Sequence, residues 1–164
     1  MPDAAALRPA RRAQPRRCFR VRSHASAPPE AVWPLIAEAA RWQEWSFLAR
    51  SSLLRPGTPV PDGTGALRRF AVGPFGSREE VVAFSPPTHL GYAVGAGLPV
   101  RSYRADIVLR PEGGGTTIVS SVALEPLLPG TGRLLVLFTR QVVASRARAC
   151  PLRRRLDLGV WLSS

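Results

Sequence analysis

Residues 27–45 read A-P-P-E-A-V-W-P-L-I-A-E-A-A-R-W-Q-E-W and predict two short helices near the start of the chain. Pro28 and Pro29 suit a first helical turn, because the backbone N–H groups of that turn have no partner inside the helix. An apolar stripe follows at helical spacing and consists of Val32, Leu35, Ile36, Ala39 and Ala40. Residues 41–45 predict a second helical turn that contains two tryptophans.

One strand-like segment precedes these helices and six follow them. The segments are Cys18–Ala25, Ser51–Arg55, Ala66–Val72, Ser77–Phe84, His89–Val94, Val100–Arg110 and Thr116–Leu124. Turns rich in glycine and proline separate most of them. Many short strands at hairpin spacing predict an antiparallel sheet, and their apolar-polar alternation predicts that one face of this sheet is covered.

The last part of the chain predicts a long helix. Thr131 is a suitable N-cap, and from Arg133 to about Ala149 the apolar period becomes helical. The side chains expected along one side of this helix are those of Leu134, Leu135, Phe138 and Val142. This helix and the two short ones are the elements available to cover the sheet.

The charge of the chain is concentrated at its ends. The 164 residues have a net charge of +12, and all 23 basic residues are arginine. Residues 1–17 and residues 146–164 each contain five arginines and one aspartate. The length predicts one domain, residues 18–150, between a disordered basic N-terminal tail, residues 1–17, and a basic and apolar C-terminal tail, residues 151–164.

The sequence lacks the signatures of several protein classes. No apolar run approaches the ~18–20 residues that a membrane-spanning helix needs, and no secretion signal is visible, so we expect a cytoplasmic protein. Cys18 and Cys150 lie far apart in the sequence, and no cluster of potential ligands has metal-site spacing. His24 and His89 are expected at the surface, without the partners of a nucleophilic triad. We therefore expect no metal and no cofactor.

Six motifs indicate a family. They are A-P-P-E-A-V-W-x-L-I-x-x-x-x-R-W-x-E-W at 27–45, P-D-G-x-G-A-L-R-R-F at 61–70, R-E-E-V-V-x-F-x-P-P at 78–87, L-x-Y at 90–92, G-L-P-V-R-x-Y-R-A at 97–105 and G-G-G-T at 113–116. Together they resemble the START-like (SRPBCC) superfamily, and most closely its bacterial polyketide cyclase/dehydrase and lipid-transport branch. The resemblance covers about Phe19 to Ala149. It implies an α+β helix-grip fold, in which a curved antiparallel sheet wraps around a long C-terminal helix, with two short helices after the first strand.

In the resembled superfamily the gap between sheet and helix is a ligand cavity, and this identifies one polar pair of interest. On a strand, either Glu79 or Glu80 must face the covered side. If Val82 and Phe84 point inward, Glu80 does so as well, and an apolar cavity would raise the pKa of its carboxyl group. Glu80 is then a candidate ligand anchor or general acid/base. The alternative is a structural ion pair with a nearby arginine, namely Arg68, Arg69 or Arg78.

Further candidates follow from size and polarity. The predicted ligand-binding residues are Trp33, Phe70, Glu80, Tyr92, Tyr103, Ser120 and Phe138. Tyr92 and Tyr103 have hydroxyl groups that need partners if buried, so they are suited to orienting a ligand. Ser120 is a small polar residue on an otherwise apolar strand face. Members of the resembled superfamily carry a large aromatic residue at the equivalent place, so the resemblance implies a roomier cavity here. For each aromatic residue of this set, the alternative is an ordinary core side chain.

The predicted function is the binding of a small hydrophobic molecule, such as a polyketide-, isoprenoid- or lipid-like compound, between the sheet and the last helix. Two alternatives stay open. One is a cyclase or dehydratase that acts on a polyketide-like substrate in the same cavity. The other is a module that uses the arginine-rich ends to bind RNA, the ribosome or an anionic membrane.

Overall fold

The computed structural model describes residues 16–45, 50–72, 75–128 and 130–137. Its strands are β1 (Arg17–Ala25), β2 (Arg50–Arg55), β3 (Leu67–Val72), β4 (Phe75–Ser85), β5 (His89–Ala96), β6 (Val100–Glu112) and β7 (Gly115–Pro126). They form one sheet in the order β1-β7-β6-β5-β4-β3-β2. Strands β2 to β7 each pair with their neighbour in sequence, and β1 pairs with β7, all antiparallel. The predicted antiparallel sheet is confirmed.

Two short helices and a 3-10 turn connect β1 to β2. They are α1 (Pro29–Ala37), the turn Ala39–Arg41 and α2 (Trp42–Trp45). Pro29 begins α1, and Glu30 lies in its first turn, where the helix dipole favours a negative charge. Helix α1 ends at Ala37. The extended backbone of the next residue, Glu38 (φ −80°, ψ 118°), divides the stripe that was predicted to be one helix. The second helical turn is confirmed as α2.

One face of the sheet, the inner face, is buried, and the opposite face is the outer face. Strands β1, β6 and β7 bury every second residue on the inner face. The buried residues are Phe19, Val21, Ser23 and Ala25 of β1, Tyr103, Ala105, Ile107 and Leu109 of β6, and Ile118, Ser120, Val122 and Leu124 of β7. These are the faces that the sequence alternation predicts for the three strands, because their period of two is unbroken there.

Strand β4 departs from this alternation because it contains a β-bulge. Val81 pairs with Tyr92 and Ala83 pairs with Gly91, which leaves Val82 as an extra residue between them. Val82 is 39% exposed. A bulge adds one residue to one strand of a pair, so the residues before it and after it no longer share the same alternation.

The bulge corrects the orientation of the acidic pair in β4. Counting back in steps of two from Phe84 passes through Val82 and reaches Glu80, which was therefore expected to point inward. In the structure Glu79 is the buried residue and Glu80 is exposed. The prediction of an inward Glu80 is wrong, because the extra residue shifts the count by one.

The last described segment is the beginning of a helix at residues 132–137. Leu135 is buried in the core, whereas Leu134 is 70% exposed. The two residues are about 100° apart around a helix, and the inward side is the side of Leu135, so the expectation that Leu134 shares it is wrong. Phe138 and the rest of the predicted long helix lie outside the described residues.

The loop between β2 and β3 is attached to the helices. The Oδ1 atom of Asp62 accepts a hydrogen bond of 2.9 Å from the backbone N–H of Ala39, which begins the 3-10 turn. Close backbone packing holds the loop together, because a Cβ added to Gly63 would lie 2.4 Å from the carbonyl oxygen of Thr58. The loop thus positions the junction between α1 and α2.

Replacing Asp62 tests this attachment. We expect Asp62→Ala to lower the free energy of unfolding by about 0.5–2 kcal/mol, because the N–H of Ala39 loses the acceptor that caps the turn. Urea denaturation followed by circular dichroism measures the change. Thr64→Ala in the same loop is the matched control and should change stability by less than about 0.5 kcal/mol. Equal effects of the two substitutions would contradict the capping role.

Candidate functional site

The inner face contains a buried ion pair. Arg68 of β3 and Glu79 of β4 lie directly opposite each other in the ladder between the two strands. Arg68 is 0% exposed and Glu79 is 8% exposed. The Nη2 atom of Arg68 lies 3.7 Å from Oε2 of Glu79. Two charges removed from water at this depth have a high desolvation cost, so their surroundings must compensate for it.

Aromatic rings surround the guanidinium group of Arg68. Its Cζ atom lies 5.4 Å from the ring centroids of Trp42, Phe70 and Tyr92. The faces of these rings carry partial negative charge and attract a cation at this distance. The rings also exclude water, which strengthens the attraction between Arg68 and Glu79.

Arg68 also connects the sheet to the helical segment. Its Nη1 atom donates a hydrogen bond of 3.3 Å to the carbonyl oxygen of Ala37, the last residue of α1. A cation is favoured at this end of a helix, where the carbonyl groups point outward. Trp42 Nε1 donates to the carbonyl oxygen of Ile36 at 2.8 Å. Arg68 and Trp42, which contact each other, therefore both donate hydrogen bonds to carbonyl groups at the end of α1.

Several of the predicted ligand-binding residues lie in one row of rings. The ring centroids of Trp42 and Phe70 are 4.5 Å apart, those of Trp42 and Tyr92 are 6.2 Å apart, and those of Tyr92 and Tyr103 are 6.4 Å apart. The structure therefore brings Phe70, Tyr92 and Tyr103 together across β3, β5 and β6. Trp42, which was not a predicted site residue, joins this row.

The other predicted residues take different positions. Trp33 is buried but packs edge-to-face on Phe84, with ring centroids 5.3 Å apart. Ser120 is buried on the inner face, between Ile107 of β6 and Val21 of β1 in the ladder. Phe138 lies outside the described residues. The role of these residues in ligand binding stays a prediction.

Glu80 lies on the outer side of β4. Its side chain is 51% exposed, and its Oε1 atom lies 3.5 Å from Nη2 of Arg55. Glu80 therefore forms an ion pair, as the alternative predicted, but its partner is Arg55 and not one of the expected arginines. An exposed pair of this kind contributes little to stability. Among the two adjacent acids, the residue with access to the inner face is Glu79.

Arg68 and Glu79 were not predicted as site residues. Each is one member of an identical pair, Arg68-Arg69 and Glu79-Glu80, so composition cannot show which member faces inward. One signal was available: Phe70 is apolar, and a residue two positions earlier on a regular strand shares its face. Applied to β3, this rule identifies Arg68 as the inward arginine.

A sequence model of the family described as polyketide cyclase/dehydrase and lipid transport matches residues 16–155 of this chain. The chain belongs to that family. The match includes all seven strands, the inner-face residues described above and the helical segment between β1 and β2. No curated protein sequence matches the chain significantly.

Solved structures with the same fold are similar to this protein. CalU16 from Micromonospora echinospora is 14% identical with a TM-score of 0.60, over 83% of this chain and 77% of that chain. XoxI from Bacillus cereus is 17% identical with a TM-score of 0.68, over 82% and 92%. DynU16, from the dynemicin biosynthetic locus, is 22% identical with a TM-score of 0.61, over 82% of this chain and 47% of that chain. These similarities confirm the predicted helix-grip fold.

The outer face of this family member has a polar network of its own. Asp106 of β6 accepts hydrogen bonds from Arg104, at 2.9 and 3.0 Å, and its Oδ1 atom lies 3.0 Å from Nε2 of His89. The hydrogen bonds from Arg104, and to a smaller extent the contact with His89, lower the pKa of the Asp106 carboxyl group, whereas partial burial opposes this. These groups lie on the opposite side of the sheet from Arg68 and Glu79.

A cleft of about 510 Å³ lies beside this network. It is lined by Arg16, Cys18, Phe19, Arg20, Arg104, Asp106, Ser121, Val122 and Ala123. Its charged groups are three arginines and one aspartate, and Asp106 is already bonded to Arg104. A hydrophobic molecule is better matched by the aromatic row of the inner face than by this charged surface.

Two further expectations concern ions and membranes. The described part of the chain contains no group of three or more His, Cys, Asp or Glu residues placed to hold a metal ion. Within the same residues, no helix has the length and apolar character needed to cross a bilayer. The arginine-rich ends, which the alternative function requires, lie almost entirely outside the described residues.

The buried ion pair can be tested by removing one charge or both. We expect Arg68→Met to lower the free energy of unfolding by about 3–5 kcal/mol, because the Glu79 carboxylate stays buried without its cation. The double variant Arg68→Met/Glu79→Leu should recover most of this loss. Urea denaturation measures both, and Arg69→Met, on the exposed side of β3, is the control. A double variant as unstable as the single one would show that packing, and not charge, is responsible.

The Asp106 network predicts a pH dependence. The folded-state pKa of Asp106 is lowered, so its ionised carboxylate stabilises the folded protein. This stabilisation is fully present above the ordinary carboxyl pKa of about 4 and is lost as the pH falls through the folded-state pKa. At pH 7 we expect Asp106→Asn to cost less than about 1 kcal/mol, since its partners are partly exposed. Urea denaturation at pH 7 and at pH 3 should show this difference shrinking in acid. A difference that persists at pH 3 would contradict the electrostatic origin.

Proposed function

We propose that this protein binds a small hydrophobic molecule, of polyketide-, isoprenoid- or lipid-like chemistry, between the inner face of the sheet and the last helix. The observation that supports this most directly is the row of aromatic rings around the buried Arg68–Glu79 pair. Ligand sites for such molecules are mostly apolar and contain a few placed polar groups. The inner face has this composition.

The polar groups of the row are suited to orienting a ligand. Tyr92 and Tyr103 are 2% and 6% exposed, and their rings are nearly parallel, with an interplanar angle of 27°. A buried phenol combines an apolar ring with one polar hydroxyl group. A ligand that lies against these rings would gain apolar contact and a defined direction for its oxygen atoms.

Small side chains follow the tyrosines across the sheet. Ala105 stands between Tyr92 of β5 and Val122 of β7 in the ladder, and Ser120 stands between Ile107 and Val21. Small residues at the centre of a sheet leave room above it for the body of a ligand. That the cavity is roomier at Ser120 stays a prediction.

The relatives are consistent with this proposal at the level of class. The family description names polyketide cyclase/dehydrase and lipid transport together, and both involve largely apolar molecules. DynU16 comes from the dynemicin biosynthetic locus. For this chain, native mass spectrometry of the freshly purified protein, with analysis of its organic extract, is the first experiment. A stoichiometric apolar adduct is the expected result.

A substitution that fills the space above Ser120 tests the site directly. We expect Ser120→Leu to weaken binding of the neutral fluorescent probe 1-N-phenylnaphthylamine by about tenfold or more, because the larger side chain would occupy the ligand volume. In the proposed cavity the larger side chain would fill ligand volume without strain, so its effect on stability should stay below about 1 kcal/mol. Fluorescence titration and thermal unfolding provide the two readouts.

The neighbouring residue provides the control for this experiment. Ser121 lies on the outer face of the same strand, where its hydroxyl accepts a hydrogen bond from Arg20 Nε at 3.2 Å. Ser121→Leu should leave probe binding unchanged. If Ser120→Leu destabilises the protein strongly and leaves probe binding intact, the centre of the inner face is a packed core and the proposed site is wrong.

The enzymatic alternative now depends on a different residue. The carboxylate on the inner face is that of Glu79, so any acid/base role proposed for Glu80 passes to Glu79. Turnover of a poly-β-ketone thioester that is lost in Glu79→Gln, in a variant that still binds the probe, would favour a cyclase or dehydratase. Binding without turnover in the unmodified protein would favour a carrier.

A further inference from the structure

The cleft of about 510 Å³ on the outer face is lined by an unbalanced set of charges. Arg20 of β1 and Arg16, just before that strand, line one side, and Arg104 and Asp106 of β6 line the other. Three arginines and one aspartate leave the lining with two positive charges in excess. These side chains belong to the outer face, so the cleft is separate from the proposed ligand site on the inner face.

Small side chains of β7 form the floor of this cleft. Ser121 pairs with Arg20 of β1 and with Asp106 of β6 in the ladder. Ala123, two residues further along β7, pairs with Arg104. Strands two apart in a sheet lie about 10 Å from each other. Arg20 and Arg104 therefore stand on opposite sides of a low floor, with room for a small molecule between them.

The side chain of Arg104 is held in a defined position. Its Nε and Nη2 atoms donate hydrogen bonds of 2.9 and 3.0 Å to the two carboxylate oxygens of Asp106. The pair lies close to the backbone of β5 at Gly91, where an added Cβ would be 2.9 Å from Oδ1 of Asp106 and 3.3 Å from Nη2 of Arg104. A glycine at this point gives the pair its space. The hydrogen bonds to Asp106 do not use Nη1 of Arg104, which can donate to a ligand.

The other two arginines of the cleft have no acidic partner among the described residues. The ion pairs in that part of the chain include neither Arg16 nor Arg20. The Nε atom of Arg20 donates to the hydroxyl oxygen of Ser121 at 3.2 Å, and this bond leaves both Nη atoms for other acceptors. Glu125, on the same face of β7 as Ser121, lies 3.7 Å from Arg101. The described residues therefore do not neutralise the positive charge of the cleft.

A phosphate group matches this charge better than a carboxylate does. At pH 7 a phosphate monoester carries a charge of about −1.5 to −2 and three strong acceptor oxygens. A carboxylate carries one charge and two oxygens. Guanidinium groups bind phosphate through paired, charge-assisted hydrogen bonds. The volume of the cleft also lies within the range of about 300–1,000 Å³ that is usual for small-molecule sites.

We propose that the outer-face cleft binds a small molecule that carries a phosphate group. Arg20 and Arg104 would hold the phosphate from opposite sides of β7, and Arg16 would add a third positive charge. Asp106 would be a positioning residue, because it fixes the guanidinium group of Arg104. This site goes beyond the proposed function and does not require a ligand on the inner face.

Titration of the full chain with glycerol 3-phosphate tests the site. Two-dimensional NMR of the backbone amides reports both the affinity for this probe and its position. We expect saturable shifts in residues 18–20, 104–106 and 121–123, which line the cleft or lie next to its lining residues. Succinate carries a charge of about −2 on two carboxylates, and it should bind at least about threefold more weakly.

Two substitutions in the cleft should change the affinity for glycerol 3-phosphate in opposite directions. Arg20→Gln should weaken binding by about fivefold or more, because a charge-assisted hydrogen bond is lost. Asp106→Asn should strengthen binding by about twofold or more, because it removes the negative charge of the lining. Thermal unfolding should show that both variants are folded, since both side chains are at least partly exposed.

A third variant controls for the change in net charge. Arg22 is exposed on the same face of β1 as Arg20, but it pairs with Glu112 at 2.7 Å and does not line the cleft. Arg22→Gln should therefore leave the affinity for glycerol 3-phosphate unchanged.

Three results would overturn the proposal. The first is the absence of saturable shifts at the cleft on addition of glycerol 3-phosphate. The second is equal weakening by Arg20→Gln and Arg22→Gln, because the probe would then respond only to the overall charge of the chain. The third is tighter binding of succinate than of glycerol 3-phosphate, which would show that the cleft prefers carboxylates.

Discussion

The buried contact between Arg68 and Glu79 is the constraint on which the arrangement of the inner face depends. A charge that is fully removed from water needs an opposite charge and polar partners around it to offset the cost of its desolvation. Here Glu79 provides the opposite charge, the carbonyl oxygen of Ala37 provides a hydrogen-bond acceptor, and three aromatic rings provide their π faces. These partners come from β4, from the end of α1 and from α2, β3 and β5. The requirements of one side chain therefore set how the helical segment lies on the sheet.

The same contact explains why the inner face combines stability with polarity. A core made of leucine and valine alone would need no buried charge, and replacing a buried ion pair by apolar residues is often neutral or stabilising. Retaining the pair next to Tyr92 gives an apolar surface a defined polar position. In the proposed function, that polar position would orient the bound molecule.

Much of this fold could be predicted from the sequence, and the exceptions have physical causes. The alternation in β1, β6 and β7 indicates the correct inner face, because those strands are regular over the residues that alternate. It fails for Glu80 because the bulge at Val82 inserts one residue, and nothing in the apolar pattern reveals a bulge. Arg68 was missed because its neighbour Arg69 is identical, and only the spacing of two residues from Phe70 distinguishes the inward arginine. Leu134 was misplaced because adjacent leucines at the start of a helix fit two different apolar sides, and packing on the sheet selects Leu135.

The position of β1 has a consequence for synthesis. Strands β2 to β7 can form by successive hairpins, since each pairs with its neighbour in sequence. Strand β1 leaves the ribosome before all of them, yet its partner is the last strand, and Arg17 pairs with Leu124. The backbone N–H and C=O groups of β1 therefore have no strand partner until about a hundred more residues have been added. Pairing across such a separation is slow, because a large loop must close. The alternate arginines at positions 20 and 22 give the waiting strand a charged side, which disfavours pairing with other chains during that interval.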